Sequence, residues 1–253
     1  MWTSTVEQYM KQRKPHPHFV EHARAEKKSA IGARLYDIIL GGQDGVVNVL
    51  GIVLGVARAT HDTRIVLISG LAATFAESIS MGAVAYTSSK AARDYYFSER
   101  AREEREIETV PAIERQEIHD IYRRKGFNGT LLTAIVKKIT SDKKLWLETM
   151  MTEELNLTLE NHTSPLKDGI LVGFVSLIGS FVPLVPFFFF TVTTSMYAAL
   201  AVSLAILFLV GAIKARLTIG TWWKSGIEMG IIGMAAALAG YGIGILLGVT
   251  PLG

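Results

Sequence analysis

Residues 37–55, DIILGGQDGVVNVLGIVLG, decide how the rest of the chain has to be read. The stretch is long and apolar enough to enter a bilayer, yet it carries Asp37, Asp44 and Asn48. A carboxylate at membrane depth costs about 3 kcal/mol on insertion scales, so it is rare without a task. On a helix, Asp37 and Asp44 lie two turns apart on one face, and Asn48 follows Asp44 by one turn. Gly41, Gly45, Gly51 and Gly55 form two small-xxx-small pairs, which let other helices approach closely. The pattern predicts the polar seam of a packed bundle, and with it an ion path.

Outward from this stretch, the apolar segments fall at 37–57, 65–89, 168–189, 192–213 and 225–248. Each is near the ~20 residues that a spanning helix needs. The third contains Pro183 and Pro186 and ends in Phe187–Phe190, which predicts a kinked or shortened outer part with aromatics at the interface. Trp222 and Trp223, beside Lys224, read as an interfacial anchor for the fifth. With the N-terminus inside, 24 of the 26 Lys and Arg fall on one side, leaving only Arg58 and Arg64 opposite. The positive-inside rule then places the N-terminus in the cytosol and the C-terminus outside. The sequons at Asn128, Asn156 and Asn161 are therefore expected to stay unmodified.

Composition agrees with a membrane protein that has a sizeable polar part: 49% of residues are hydrophobic and mean hydropathy is +0.31. The absence of cysteine excludes disulfides, thiolate metal sites and Cys nucleophiles. Residues 1–36 are polar and mixed in charge, with no secretory signal. Their tract Pro15-His16-Pro17-His18, with His22 nearby, is expected to be flexible or to lie on the surface, because the prolines disfavour a helix.

The region 90–165 holds 14 acidic and 13 basic residues. No Gly or Pro interrupts Ala83–Val110, so the second span is predicted to leave the bilayer as one helix. From Ile65 to Val110 such a helix is about 70 Å long at ~1.5 Å per residue. Pro111 breaks it, a second helix covers 112–125, Gly126 and Gly129 mark a turn, and a third helix covers 130–160. The expected architecture is an all-α integral membrane protein. Five transmembrane helices carry a three-helix cytosolic domain between the second and third spans. The expected divisions are 1–36, 37–89, 90–165 and 166–250.

Two constellations carry chemistry. In the soluble region, Glu103/Glu106 and Glu114/Glu117 are E-x-x-E pairs, each on one helix face. The third helix adds Met150, Met151 and Glu154. Five carboxylates converging on one place repel unless cations sit between them, and thioethers shift the preference toward transition metals. The plainer reading is a solvated helix, since Arg100, Arg102, Arg105 and Arg115 interleave with the acids. In the spans, Glu77 and Met81 lie one turn apart, flanked by Ser78 and Ser80. Together with Asp44 and Asn48 they offer oxygen, amide and thioether ligands on two antiparallel helices. Asp37 and Glu228 fall near the inner interface, where a charge costs less.

The series DGxVNxxG, the Glu and Met of the second span, and the E-x-x-E, E-x-x-E and M-M-x-x-E motifs resemble the vacuolar iron transporter family over about residues 30–250. That resemblance implies a homodimer with five spans per subunit that exports Fe²⁺ from the cytosol in exchange for protons. It implies a path lined by Asp44 and Met81, and a cytosolic metal site of Glu103, Glu106, Glu114, Glu117, Met150, Met151 and Glu154. Glu104, Glu108 and Glu153 are extra acids beside the matched series. Fe²⁺ is the expected substrate and bound ion, with no prosthetic group; Mn²⁺, Co²⁺ and Zn²⁺ share its ligand chemistry. The expected membrane is vacuolar in a eukaryote and the cell membrane in a prokaryote. The bilayer, metal ions, protons and a second copy are the expected partners, and no motif points to nucleic acid. Two readings compete: a membrane-anchored di-metal carboxylate ferroxidase, which would want Glu-x-x-His pairs, and a metal-binding protein without transport. His119, two residues after Glu117, has the wrong spacing for the first.

Overall fold

A computed structural model describes the backbone of residues 17–158, 164–218 and 220–247, and the side chains in those ranges from Ile38 onward, Leu40 excepted. The described residues contain helices and no strand. In chain order the α-helices are α1 Pro17–Thr60, α2 Thr63–Thr109, α3 Pro111–Arg124, α4 Gly129–Thr140, α5 Lys143–Thr149, α6 Pro165–Phe181, α7 Val192–Leu217 and α8 Trp222–Leu247.

Three of these follow the expectation closely. The second apolar segment continues as a single helix of 47 residues, α2, within two residues of the predicted ends. It opens where the Asp62 Oδ1 accepts from the Arg64 and Ile65 amides at 2.7 and 3.3 Å, satisfying donors that have no partner inside the helix. Pro111 then stands at the start of α3, where a missing N–H is harmless. The third apolar segment is α6 of 17 residues, followed by a short 3₁₀ turn at Val185–Phe188. Among the described residues three helices, α2, α7 and α8, are long and apolar enough to cross a membrane.

Two expectations need correcting. Residues 17–36 are helical and continuous with the first apolar segment, because a proline at a helix's first position is tolerated. Pro15 and His16 lie outside the described residues, as do the side chains of His18 and His22. The predicted helix 130–160 is instead α4, α5 and a π-helical segment, Met150–Glu154. Asp142 restarts the chain as α5 by accepting from the Lys144 and Leu145 amides at 2.9 and 3.3 Å.

The chain divides into two compact units, one formed by residues up to Gly82 and from Leu171 onward, the other by Ala83–Ile170. In the first, α8 packs along both α1 and α7. Val49, Leu50, Val53, Leu54 and Ala57 of α1 meet Val66, Leu184, Phe187, Ala199 and Ala237 in its core. Ile79, Phe174, Ile231 and Leu246 point outward, while Thr74, Ser176, Ser180, Ser195 and Ser203 are buried. Apolar residues outside and hydroxyls inside suit helices that face lipid and pack through small residues.

The glycines at 41, 45, 51 and 55 of α1 serve two different neighbours. A Cβ on Gly41 would stand 2.8 Å from the Val172 carbonyl oxygen of α6, and one on Gly55 would stand 2.7 Å from that of Gly240 on α8. In the second unit, Ile107, Ile118, Leu132, Val136, Ile139, Trp146, Leu147, Met150 and Met151 form one apolar cluster.

Candidate functional site

The corner at Pro111 folds the two E-x-x-E pairs onto each other. Glu103, Glu106 and Glu114 each offer a carboxylate oxygen, and these three atoms lie within 4.8 Å of one another. Glu103 and Glu114 are almost wholly buried, at 2% and 4% exposure. The Oε2 of Glu114 is buried without a hydrogen-bond partner. Desolvation first, then the charges of Glu117, Glu103, Glu106 and Glu154, push the Glu114 carboxyl up to about 7. Glu117 is also raised, by burial and then by Glu103 and Glu106. Glu154 is exposed as a residue, but desolvation of its carboxyl and the charges of Glu117 and Glu103 push it up to about 7. All five acids therefore lie in one another's field.

One cation stands among them. Arg102 reaches Glu99 at 2.7 Å, Glu103 at 2.9 Å and Glu106 at 3.5 Å. The neighbouring acids are dealt with differently: Lys143 pairs with Glu104 at 3.0 Å and Glu108 at 2.5 Å, and Lys125 pairs with Glu153. Lysines thus pair with the three extra acids on the surface, whereas among the described residues Arg102 is the cation that pairs with members of the matched five, Glu103 and Glu106. Such a group of oxygens fits a hard to borderline divalent cation.

Met150 and Met151 are fully buried in the apolar cluster, against side chains that include Ile107 and Ile118, which directly follow Glu106 and Glu117 in the chain. The π turn that starts with them closes through the Leu155 amide donating to the Met150 carbonyl at 3.2 Å, and it carries Glu154 at its other end. His119 contacts Asp120 at 3.2 Å and Gln116 at 3.5 Å and is not among the converging groups. The described residues hold no Glu-x-x-His pair at this site, which leaves the oxidase reading without its ligands.

In the other unit, the Asn48 amide donates to Glu77 Oε1 at 3.1 Å, and Asp44 interacts with the same carboxyl. Asp44, Glu77 and Met81 are half-buried; Asn48 is exposed. The structure thus joins Asp44, Asn48 and Glu77 across α1 and α2, with Met81 one turn beyond Glu77. The Asp37 side chain lies outside the described residues, and Glu228 is exposed on α8.

Sequence reasoning missed two contributions. In the sequence Arg102 is one of several interleaved arginines; its spacing of three, one and four residues to Glu99, Glu103 and Glu106 is the signal that marks it out. Ser176 and Ser180, one turn apart in an apolar helix, are wholly buried with unpartnered hydroxyls. A Cβ on Gly45 would stand 2.6 Å from the Ser180 Oγ, so that hydroxyl lies against α1 one residue from Asp44.

Comparison with known proteins follows the same residues. The sequence profile described as VIT family matches residues 35–245. The chain is 33% identical to vacuolar iron transporter 2 of Oryza sativa subsp. japonica, over 86% of this chain and 89% of that protein. It is 35% identical to the vacuolar iron transporter of Plasmodium berghei, over 88% and 85%, and 34% identical to that of Plasmodium falciparum, over 84% and 82%. These relatives are named as transporters. By a match covering most of its length, this chain belongs to the VIT family.

Proposed function

We propose that the protein moves ferrous iron out of the cytosol across a membrane in exchange for protons. The observation that carries this reading is the Asp44–Glu77 pair, two interacting carboxyls on apolar helices, with the Asn48 amide donating to Glu77. Two anions side by side in a medium of low dielectric repel strongly. A divalent cation relieves that repulsion, and so does a proton, but each excludes the other. Competition for the same oxygens is sufficient chemistry for exchange, provided the pair faces the two sides of the membrane in turn.

The acidic cluster serves as the collector. Its five carboxylates against one Arg102 create a local negative potential that concentrates divalent cations from the cytosol. Glu103, Glu106, Glu114, Glu117 and Glu154 hold the ion. On that assignment the thioethers of Met150 and Met151, buried in the apolar cluster with Ile107 and Ile118, bias the site toward Fe²⁺ and its neighbours Mn²⁺, Co²⁺ and Zn²⁺ over Mg²⁺ or Ca²⁺. In this reading α1, α2, α6, α7 and α8 are five spans, with the N-terminus cytosolic. The path lies along α1 and is completed by a second copy of the chain. The relatives' names point to a vacuolar membrane.

Reconstitution tests the assignment. Proteoliposomes holding the wild-type chain take up Fe²⁺ under anaerobic conditions while the internal pH rises in step, as protons leave in exchange. Asp44→Ala abolishes both movements. If Asp44→Ala protein still carried Fe²⁺ at the wild-type rate along a proton gradient, the role given to this carboxylate would be wrong.

A further inference from the structure

Enclosed by α1, α7 and α8 is a cavity of about 340 Å³, within the range of about 300–1,000 Å³ that ligand sites occupy. Leu54, Met196, Leu200 and Leu238 give it apolar walls, and Arg58, His61 and Tyr241 close one end. None of its lining residues is an acid. Arg58 is one of only two basic residues on its side of the predicted topology, and it is turned inward: its guanidinium carbon stands 5.8 Å over the Tyr241 ring. Its Nη1 lies 3.2 Å from His61 Nε2, and its Nε is buried without a partner. Asp62, the nearest acid in the chain, is occupied with the first amides of α2.

A guanidinium has five N–H donors, no acceptor and a permanent charge. Because it can only donate, His61 Nε2 must accept, which puts the ring proton on Nδ1 and leaves His61 a donor as well. Methionines and a histidine would suit a transition-metal ion, but the adjacent fixed positive charge repels one. What fits is an anion on Arg58 and an apolar chain along Leu54, Leu200 and Leu238. A small hydrated ion would use only the first of these features, and a neutral hydrophobe only the second.

We infer that this cavity binds an anionic membrane lipid, its phosphate on Arg58 and one acyl chain between α1, α7 and α8. The inference rests on the reading of these helices as membrane spans. It assigns the bilayer an individually bound partner at the end of the bundle away from the Lys- and Arg-rich side. The lipid phosphate fills the donors that Arg58 Nε and Nη leave open and ties the ends of three helices together through one headgroup.

Native mass spectrometry of the full chain, purified from mixed micelles of phosphatidylglycerol and phosphatidylcholine, tests it. Wild type retains phosphatidylglycerol over phosphatidylcholine by roughly tenfold, the scale of one set of charge-assisted hydrogen bonds. Arg58→Met removes the preference, and Arg58→Lys keeps part of it. Leu200→Trp fills the cavity and leaves Arg58 in place, so it loses bound lipid even if the Met variant folds poorly. Equal retention of the two lipids, or an unchanged preference in folded Arg58→Met or Leu200→Trp, overturns the inference. So does inorganic phosphate alone raising the melting temperature as much as phosphatidylglycerol, which would make the site one for free anions. Fe²⁺ flux is recorded on the same preparations. Absence of a lipid preference in wild type with flux intact defeats the lipid site alone, whereas no flux from wild type defeats the transport reading.

Discussion

Arg102 is the residue on which the behaviour of the acidic cluster turns. It supplies the only guanidinium that touches Glu103 and Glu106 among the described residues, so an incoming dication competes with it for the same oxygens. A half-exposed ion pair is worth at most about 1 kcal/mol, so Arg102→Met should tighten metal binding by no more than roughly fivefold. Titration calorimetry of the full chain with Mn²⁺ reads this, and weaker binding in the variant would show that Arg102 shapes the site instead of competing for it. Glu114→Gln works in the opposite direction. It removes the carboxylate whose buried oxygen has no partner, and should weaken binding by roughly tenfold or more.

The same residues set a pH dependence whose sign follows from burial. Glu114 and Glu154 sit at about 7 in the folded protein, above the ordinary value of 4.5. Between those two values the folded state holds protons that the unfolded chain has lost, so their contribution to stability is complete below about 4.5 and disappears as pH rises through about 7. In the absence of metal, the melting temperature should fall between pH 5 and pH 8, and a divalent cation should reverse that fall. Metal affinity itself should drop as pH falls below about 7, since each bound ion must displace those protons. A melting temperature that rises steadily from pH 5 to pH 8 without metal would contradict the shared field of these acids.

At the scale of elements, close approach of backbones does the work that large side chains do elsewhere. Gly55 lies against Gly240, and Gly41 against Val172, so the two small-residue pairs of α1 bring it against α8 and α6. Gly55→Val should lower stability in detergent by about 1–3 kcal/mol through overpacking, measured by thermal unfolding, with no metal ligand altered. The long α2 was legible because nothing in Ala83–Val110 can break a helix and Pro111 must. The break between α4 and α5 was not, because Asp142 is compatible with a helix interior until its side chain finds the amides of Lys144 and Leu145. Residues 17–36 misled for the reverse reason: a proline that would break a helix in its middle is acceptable at its start.

For the whole molecule, the distribution of Lys and Arg makes an orientation that labelling can check. The chain has no cysteine, so single cysteines placed at Thr60 and at Ser141 report cleanly. Under the proposed topology an impermeant maleimide applied from the cytosolic side modifies Ser141→Cys and spares Thr60→Cys. The reverse pattern would invert the direction of transport proposed here.

Apolar run length, helix breakers and the presence of acids in apolar stretches were readable from the chain alone, because each is a local property of composition and spacing. That is why the helical architecture, Asp44, Glu77 and the two E-x-x-E pairs stood out before any fold was known. Folding alone decided which acids act together. Lys143 and Lys125 come within reach of Glu104, Glu108 and Glu153, while the corner at Pro111 brings Glu103, Glu106 and Glu114 against one another. Charge pairing depends on distances across the fold, and those distances are set by packing between helices that are far apart in sequence.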